Sequence, residues 1–156
     1  LNEYLQFTSS SYIEKDEMFN LSELIVEIVS KYNNENIQKD LSPRAYINGR
    51  KNLINRCLNN IIDNALKYGN KVEIKLNKEN TNLLIIIDDN GSGIPKKEHE
   101  NVFKPFYKID KGRAESKSSV GLGLSIASDI VRSHGGNIVL GKSKMNGLSV
   151  KIFLPV

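Results

Sequence analysis

Cysteine is almost absent. Cys57 is the single thiol in 156 residues, which excludes a disulfide framework and a cysteine-based zinc site within the chain. Lying in an apolar stretch, it reads as a small core residue. No run approaches the roughly 18 apolar residues that a membrane span needs, and nothing has the pattern of a secretory leader. The chain opens on Leu1 rather than Met and reads as a piece of a longer protein. Histidine occurs twice, at His99 and His134, and neither shows the carboxylate and nucleophile neighbours of a hydrolytic triad. His134, beside Gly135-Gly136, reads as a capping or packing residue. Charge of one sign is also lacking: 22 Lys and Arg face 18 Asp and Glu. Without a basic stripe interleaved with aromatics, no nucleic-acid partner is expected.

What remains is the composition of one ordinary globular domain, 39% hydrophobic and 26% charged. Apolar positions at Leu1, Tyr4 and Leu5 fit the last turns of a helix, and the polar run Thr8 to Asp16 reads as a linker. Asn20 is placed to cap a helix whose apolar face is Leu21, Leu24, Ile25, Ile28 and Val29, with Glu23 three residues after the cap. Tyr46-Ile47 is strand-like. Lys51 to Tyr68 carries a broad apolar arc at helical spacing and stops at Gly69-Asn70. Lys71 to Leu76 alternates, Asn80 to Asn82 turns, and Leu83 to Ile87 is continuously apolar, as a buried central strand is. Lys96 to Val120 is long, charged and weakly periodic, the mark of a functional lid or a disordered loop. Gly121 to His134 is helical, with Leu122, Ile126, Ile130 and Val131 on one side. Ile138 to Leu140 and Leu148 to Leu154 close a hairpin turning near Asn146-Gly147. This order predicts a two-layer α/β sandwich: a mixed, mostly antiparallel sheet covered on one face by helices.

Four places could carry chemistry. Asn60 and Asn64 lie i, i+4 on one helix edge, followed by Lys67 and Tyr68. Amide oxygens are hard ligands that suit Mg²⁺, although a polar rim on a buried helix has the same look. Asp89-Asn-Gly91-Ser-Gly93 follows the buried strand, so a carboxylate could stand deep in a pocket with glycines that let a ligand approach; Asp88 reads as its solvated neighbour. Gly121-Leu-Gly123-Leu124 opens a helix, where exposed amides and the helix dipole favour an anion. It matches neither the P-loop nor the dinucleotide fingerprint. Phe103-Lys-Pro-Phe106-Tyr107-Lys108 offers aromatics for anchoring the lid and cations for a polyphosphate, while Lys111 and Lys117 read as solvated charges.

Each element alone is weak, but their order and spacing are specific. Asn60 to Tyr68 resembles the N box of sensor histidine kinases, Asp89 to Ile94 the G1 box, and Phe103 to Phe106 the F box. Gly121 to Leu124 resembles the G2 box, Ser133 to Gly136 the segment after it, and Gly147 to Pro155 the closing G3 region. The resemblance covers nearly everything from Leu21 onward. It implies the Bergerat fold of the gyrase, Hsp90 and mismatch-repair ATPases, with ATP held under a lid. It divides the chain into the end of a dimerisation helix and linker at 1–16 and a catalytic ATP-binding domain at 17–156.

By motif match, Asn64 would ligate Mg²⁺, and Lys67 and Lys108 would contact phosphates. Tyr68 and Ile94 would line the base or ribose, with Gly91 and Gly93 beside them, and Asp89 would bind the adenine amino group. Val120, Gly121, Leu122, Gly123 and Leu124 would hold the phosphates. Two departures stand out: Ser118-Ser-Val120 where glycines or threonine are frequent, and Ser92 for a frequent proline. Hydrolysing relatives carry a glutamate one turn before the metal-binding asparagine; here that position is Asn60, which cannot take a proton from water. The implied partners are a phosphoacceptor-histidine dimerisation domain of the same protein, within a homodimer, and a response regulator. The implied setting is the cytoplasmic side of an inner-membrane sensor. A serine kinase of the anti-sigma-factor type and a nucleotide-sensing module without catalysis are the alternatives.

Overall fold

The computed structural model describes residues 14–32, 35–105, 107 and 123–156. The strands are β1 (Glu17–Asn20), β2 (Ile37–Leu41), β3 (Tyr46–Gly49), β4 (Val72–Glu79), β5 (Asn82–Asp89), β6 (Asn137–Lys142) and β7 (Leu148–Pro155). The helices are α1 (Leu21–Ser30), α2 (Lys51–Tyr68) and α3 (Gly123–Ser133). Five strands form one mixed sheet in the order β2-β4-β5-β7-β6, and β1 and β3 form a separate antiparallel ribbon. Only the β2–β4 pair of the large sheet is parallel. The mixed sheet with helices on one face is therefore as the sequence predicts.

Alternation fixes which face is covered. Val72, Ile74 and Leu76 pair across the ladder with Asp89, Ile87 and Ile85, and Ile87 and Ile85 with Val150 and Ile152. Except at the Asp89 end, this face is apolar and buried. Against it pack Leu53, Ile54, Cys57, Leu58, Ile61, Ile62 and Ala65 of α2, and Ile126, Ala127, Ile130 and Val131 of α3. Each large buried aliphatic contributes about 1.5–3 kcal/mol of transfer free energy. Burial pushes the Cys57 thiol up to about 12, so it is an inert core residue.

The helix ends explain the helix positions. Asn20 caps α1, its Oδ1 accepting from the Ser22 N–H at 2.9 Å and the Glu23 N–H at 3.4 Å. The predicted apolar face of α1 is buried in full. α2 has no acid in its first turn and no side-chain cap from Arg50. Its opening amides go instead to Glu14, which accepts from Asn52 N–H at 2.7 Å and Leu53 N–H at 3.1 Å. At its other end, Gly69 is extended (φ −127°) rather than left-handed. Glycine is needed there because a Cβ would come within 2.8 Å of Asn90 Oδ1 and 2.9 Å of the Gly91 nitrogen.

Three expectations require correction. β1 and β2 were not anticipated as strands. Asp88 is buried rather than solvated, and its Oδ1 has no hydrogen-bond partner among the described residues. The reason is its outer-face register opposite Glu73 and Ser149, near a turn whose Lys144 ammonium bonds Glu73 and is attracted by the Asp88 charge. The first part of the expected lid is ordered into 3-10 turns at Lys96–Glu98 and Asn101–Phe103, with Val102 buried and Phe103 packed on the core. The rest of that stretch, with Phe106, Lys108, Lys111 and Lys117, lies outside the described residues, as do the helix turns at 1–7 and most of the 8–16 linker.

His134 has the capping role expected of it. Its Nδ1–H donates to the Ile130 carbonyl at 2.8 Å, and its Nε2 accepts from the Arg50 N–H at 3.0 Å. The bond from Arg50 needs the neutral ring, whose Nε2 lone pair accepts it, and burial moves the His134 pKa below the ordinary value near 6.5, against an opposing contribution from the Ile130 bond, which the charged ring also makes. The unfolded chain then takes up this proton first as pH falls. The stability His134 contributes is present above about pH 6.5 and is lost as pH drops below it. Thermal midpoints should therefore be lower at pH 5.5 than at pH 7.5, and the difference should shrink in His134→Gln. Equal pH slopes for the two proteins would remove His134 as the cause.

Candidate functional site

One end of the sheet gathers most of the predicted residues. β5 ends there at Asp89, and α2 delivers Tyr68 and Gly69 against the loop that follows Asp89. A Cβ on Gly91 would lie 2.6 Å from the Tyr68 carbonyl oxygen, so helix end and loop are in contact. Asn90 fastens the two together. Its Oδ1 accepts from the Asn70 and Lys71 N–H groups at 2.9 and 3.0 Å, and its Nδ2 donates to Asn70 Oδ1 at 2.7 Å. β6 and β5 both run antiparallel to β7, so Lys142 ends at the same end as Asp89. The short turn at 134–136 sends β6 back along α3, so the first residues of α3, Gly123 and Leu124, lie towards that end too.

Asp89 is the most enclosed charge of the group, at 2% exposure. Its Oδ1 accepts two backbone bonds, from Gly91 N–H at 2.8 Å and Leu148 N–H at 3.1 Å. The β6–β7 turn presses on it closely: a Cβ on Gly147 would be 2.3 Å from the same oxygen. The carboxylate is thus held in a fixed attitude by backbone donors from two directions. Gly93 has φ +74°, a conformation that suits glycine, and it turns the loop so that Ile94 is buried. His99 Nε2–H then donates to the Ile94 carbonyl at 2.8 Å, securing the loop from the 3-10 turn.

On α2, Asn60, Asn64 and Tyr68 are half-buried and Lys67 is exposed. Asn60 Nδ2 is buried with no hydrogen-bond partner among the described residues. A buried amide donor without an acceptor costs about 1–3 kcal/mol, which a ligand oxygen at that point would relieve. No group of three or more His, Cys, Asp or Glu among the described residues could hold a metal. An all-protein metal cage is thus not offered, but a single amide oxygen such as that of Asn64 fits Mg²⁺, whose other ligands are commonly waters and phosphates. Lys108, Val120, Gly121 and Leu122 lie outside the described residues.

Two contributors to the site escaped the sequence reading. Leu148 holds Asp89 through its backbone N–H, for which the Asn146-Gly147 turn was the available signal. Asn90 joins the loop to the helix, and its place inside an Asp-Asn-Gly run was the signal for a side chain that bonds nearby backbone. A cavity of about 580 Å³ adjoins the loop, lined by Gly93, Ile94, Lys96, His99, Leu140 and Lys142 among others. It shares the loop with the candidate site but includes none of Asn60, Asn64, Lys67 or Asp89.

Residues 49–156 match the family of histidine kinase-, DNA gyrase B- and HSP90-like ATPases. The sensor histidine kinase WalK of Bacillus subtilis is 41% identical over 115 residues, 70% of this chain and 19% of that protein. Among solved structures, the mycobacterial sensor histidine kinase MprB superposes with a TM-score of 0.76 at 25% identity, covering 90% of this chain and 97% of that one. The histidine kinase domain of the E. coli osmosensor EnvZ superposes with a TM-score of 0.69 at 30% identity, covering 90% and 88%. The Tyr68-Gly-Asn70 and Leu154-Pro-Val156 segments suggest a likeness to EnvZ in particular, and it is one such relative among several. The chain spans about a fifth of the length of WalK.

Proposed function

The chain belongs to the histidine kinase-, DNA gyrase B- and HSP90-like ATPase family, and from that premise we propose that it holds Mg²⁺·ATP for phosphoryl transfer to a histidine on another domain. That histidine would lie on the dimerisation domain of the parent sensor kinase, a homodimer that would pass the phosphoryl group to an aspartate of a response regulator. No helix among the described residues is long and apolar enough to cross a membrane; the proposed setting is the cytoplasmic side of a membrane-bound sensor.

The observation that carries the reading is Asp89, a buried carboxylate at the end of the central strand with one oxygen fixed by two backbone amides. Such an acceptor suits the adenine amino group. Tyr68 and Ile94 would flank the base or ribose. Lys67 and Lys108 would meet the phosphates with the turn from Gly121 to Leu124, and Asn60 Nδ2 would find an acceptor among the phosphoryl oxygens. Asn64 would supply an oxygen to Mg²⁺, which when bound neutralises developing charge on the phosphates. The reaction forms a bond from an imidazole nitrogen to the γ-phosphorus and breaks the bond from that phosphorus to the β–γ bridging oxygen, with ADP leaving. The imidazole is itself a nucleophile near neutral pH, so positioning is the main demand on this chain. Calorimetric titration with Mg²⁺ and a non-hydrolysable ATP analogue should give one site per chain, and failure to bind would remove the proposal.

A further inference from the structure

A second junction joins α2 and α3 at the ends remote from the candidate nucleotide site. Arg50, the residue before α2, donates its backbone N–H to His134 at 3.0 Å. Its guanidinium donates to the Ser133 carbonyl at 2.8 Å and to Ser133 Oγ at 3.0 Å. The two helices therefore form a wedge pinned at its base, where α2 begins and α3 ends. The mouth of the wedge is where α2 brings Asn64 and Lys67 and α3 begins at Gly123.

A strap of three residues lies across the pin. Glu14 supplies the cap that α2 lacks, across 38 positions of sequence, and its charge meets the positive end of the helix dipole. Asp16 Oδ1 is 3.7 Å from Arg50 Nε, a charge contact too long for a hydrogen bond. That Nε–H is buried and has no hydrogen-bond partner among the described residues. The strap is thus seated at Glu14, while a closer seat is open to Asp16. Glu14, Asp16, Arg50 and His134 are the charged or titratable groups that meet at this junction.

We infer that Glu14 and Arg50 are positioning residues for the nucleotide, with docking of the strap at the base of the α2–α3 wedge and occupation of its mouth favouring each other. The inference rests on the nucleotide reading above. α2 is the mechanical link: the 12 residue-to-residue steps from Asn52 to Asn64 span about 18 Å of continuous helix, packed on α3 along the way. Fixing the angle of α2 at its base fixes where the Asn64 and Lys67 side chains stand. Residue 14 continues directly from the upstream part of the chain, so a pull on that part that unseats Glu14 would be felt at the mouth. The coupling is reciprocal by thermodynamic necessity.

The test compares the wild-type chain with Glu14→Ala and Glu14→Gln. Affinity for Mg²⁺ with a non-hydrolysable ATP analogue is measured by calorimetry well below each thermal midpoint. Glu14→Ala should bind about fivefold more weakly or worse, with Glu14→Gln between it and the wild type. In the wild type, the nucleotide should slow hydrogen exchange at the Asn52 and Leu53 amides, which are remote from the site. Unaltered affinity in Glu14→Ala, even with a lowered midpoint, would show that the cap is purely structural and would overturn the inference alone. Unchanged exchange at both amides in a wild-type chain that binds nucleotide would overturn it as well. A wild-type chain that does not bind at all would sink the nucleotide reading and this inference together.

Discussion

A chain carrying Asp89→Asn should bind ATP at least about tenfold more weakly than the wild type while keeping its fold. The two halves of that expectation come from the two oxygens. Oδ1 accepts from Gly91 N–H and Leu148 N–H, and an asparagine can present a neutral oxygen in the same place. The packing of the β6–β7 turn, where Gly147 leaves no room for a larger residue, is then preserved. The other oxygen becomes an NH₂ group. On the proposed reading it would face the adenine amino group, a donor against a donor. A charge-assisted hydrogen bond in an enclosed place is worth roughly 1.5–3 kcal/mol, which sets the tenfold floor. Asp89→Ala should differ in kind, because it also strands the two backbone donors and lowers the midpoint. Calorimetry for affinity and circular dichroism for the fold decide the matter. Undiminished affinity in a folded Asp89→Asn chain would take Asp89 out of the site.

The residues that could be read from the sequence are those whose burial follows a local period. α2 has the predicted bounds because its apolar arc repeats over five turns, and the β5 run is buried at almost every position. Asp89 was legible from what surrounds it, a carboxylate at the end of such a run followed directly by the Asn90-Gly91-Ser-Gly93 turn. What could not be read depends on partners far away in sequence. β2 buries only Ile37 and is an edge strand held by its ladder to β4. β1 buries only Phe19, and it exists because β3 pairs with it. Asp88 differs from Asp89 only by register, yet that places it on the opposite face near Lys144. Glu14 has no local signal, since a helix whose first turn lacks a cap does not say which distant side chain will supply one. Gly69 stood in the expected place for another reason, contact with the Asp89–Gly91 loop rather than a left-handed helix end. The phosphate-binding turn at 120–122 and Lys108 stay as expectations of the motif match.

The chain alone should bind Mg²⁺·ATP yet neither label itself nor turn ATP over appreciably, and it should phosphorylate a dimerisation domain added in trans. Self-labelling needs an imidazole nitrogen with a free lone pair facing the γ-phosphorus. His134 has none: Nδ1–H is spent on the Ile130 carbonyl, and the Nε2 lone pair accepts from Arg50. It also sits at the end of α3 opposite the candidate site. His99 is anchored through Nε2 to the Ile94 carbonyl, which fixes its ring beside the loop. Hydrolysis needs a base to take a proton from water, and by the motif match the position where hydrolysing relatives would carry glutamate is Asn60, an amide that could donate to a phosphoryl oxygen but cannot accept that proton. On the proposed reading the site would orient the γ-phosphoryl group for an incoming nucleophile. Labelled ATP, this chain and a histidine-bearing dimerisation domain from a sensor kinase make the experiment. Label on the partner that is lost in acid and kept in base, as a phosphoramidate is, with none on this chain, is the expected result. Label on His99, or hydrolysis at the rate of the glutamate-bearing ATPases, would show that Asn60 and the two anchored histidines do not restrain the chemistry as their bonding implies.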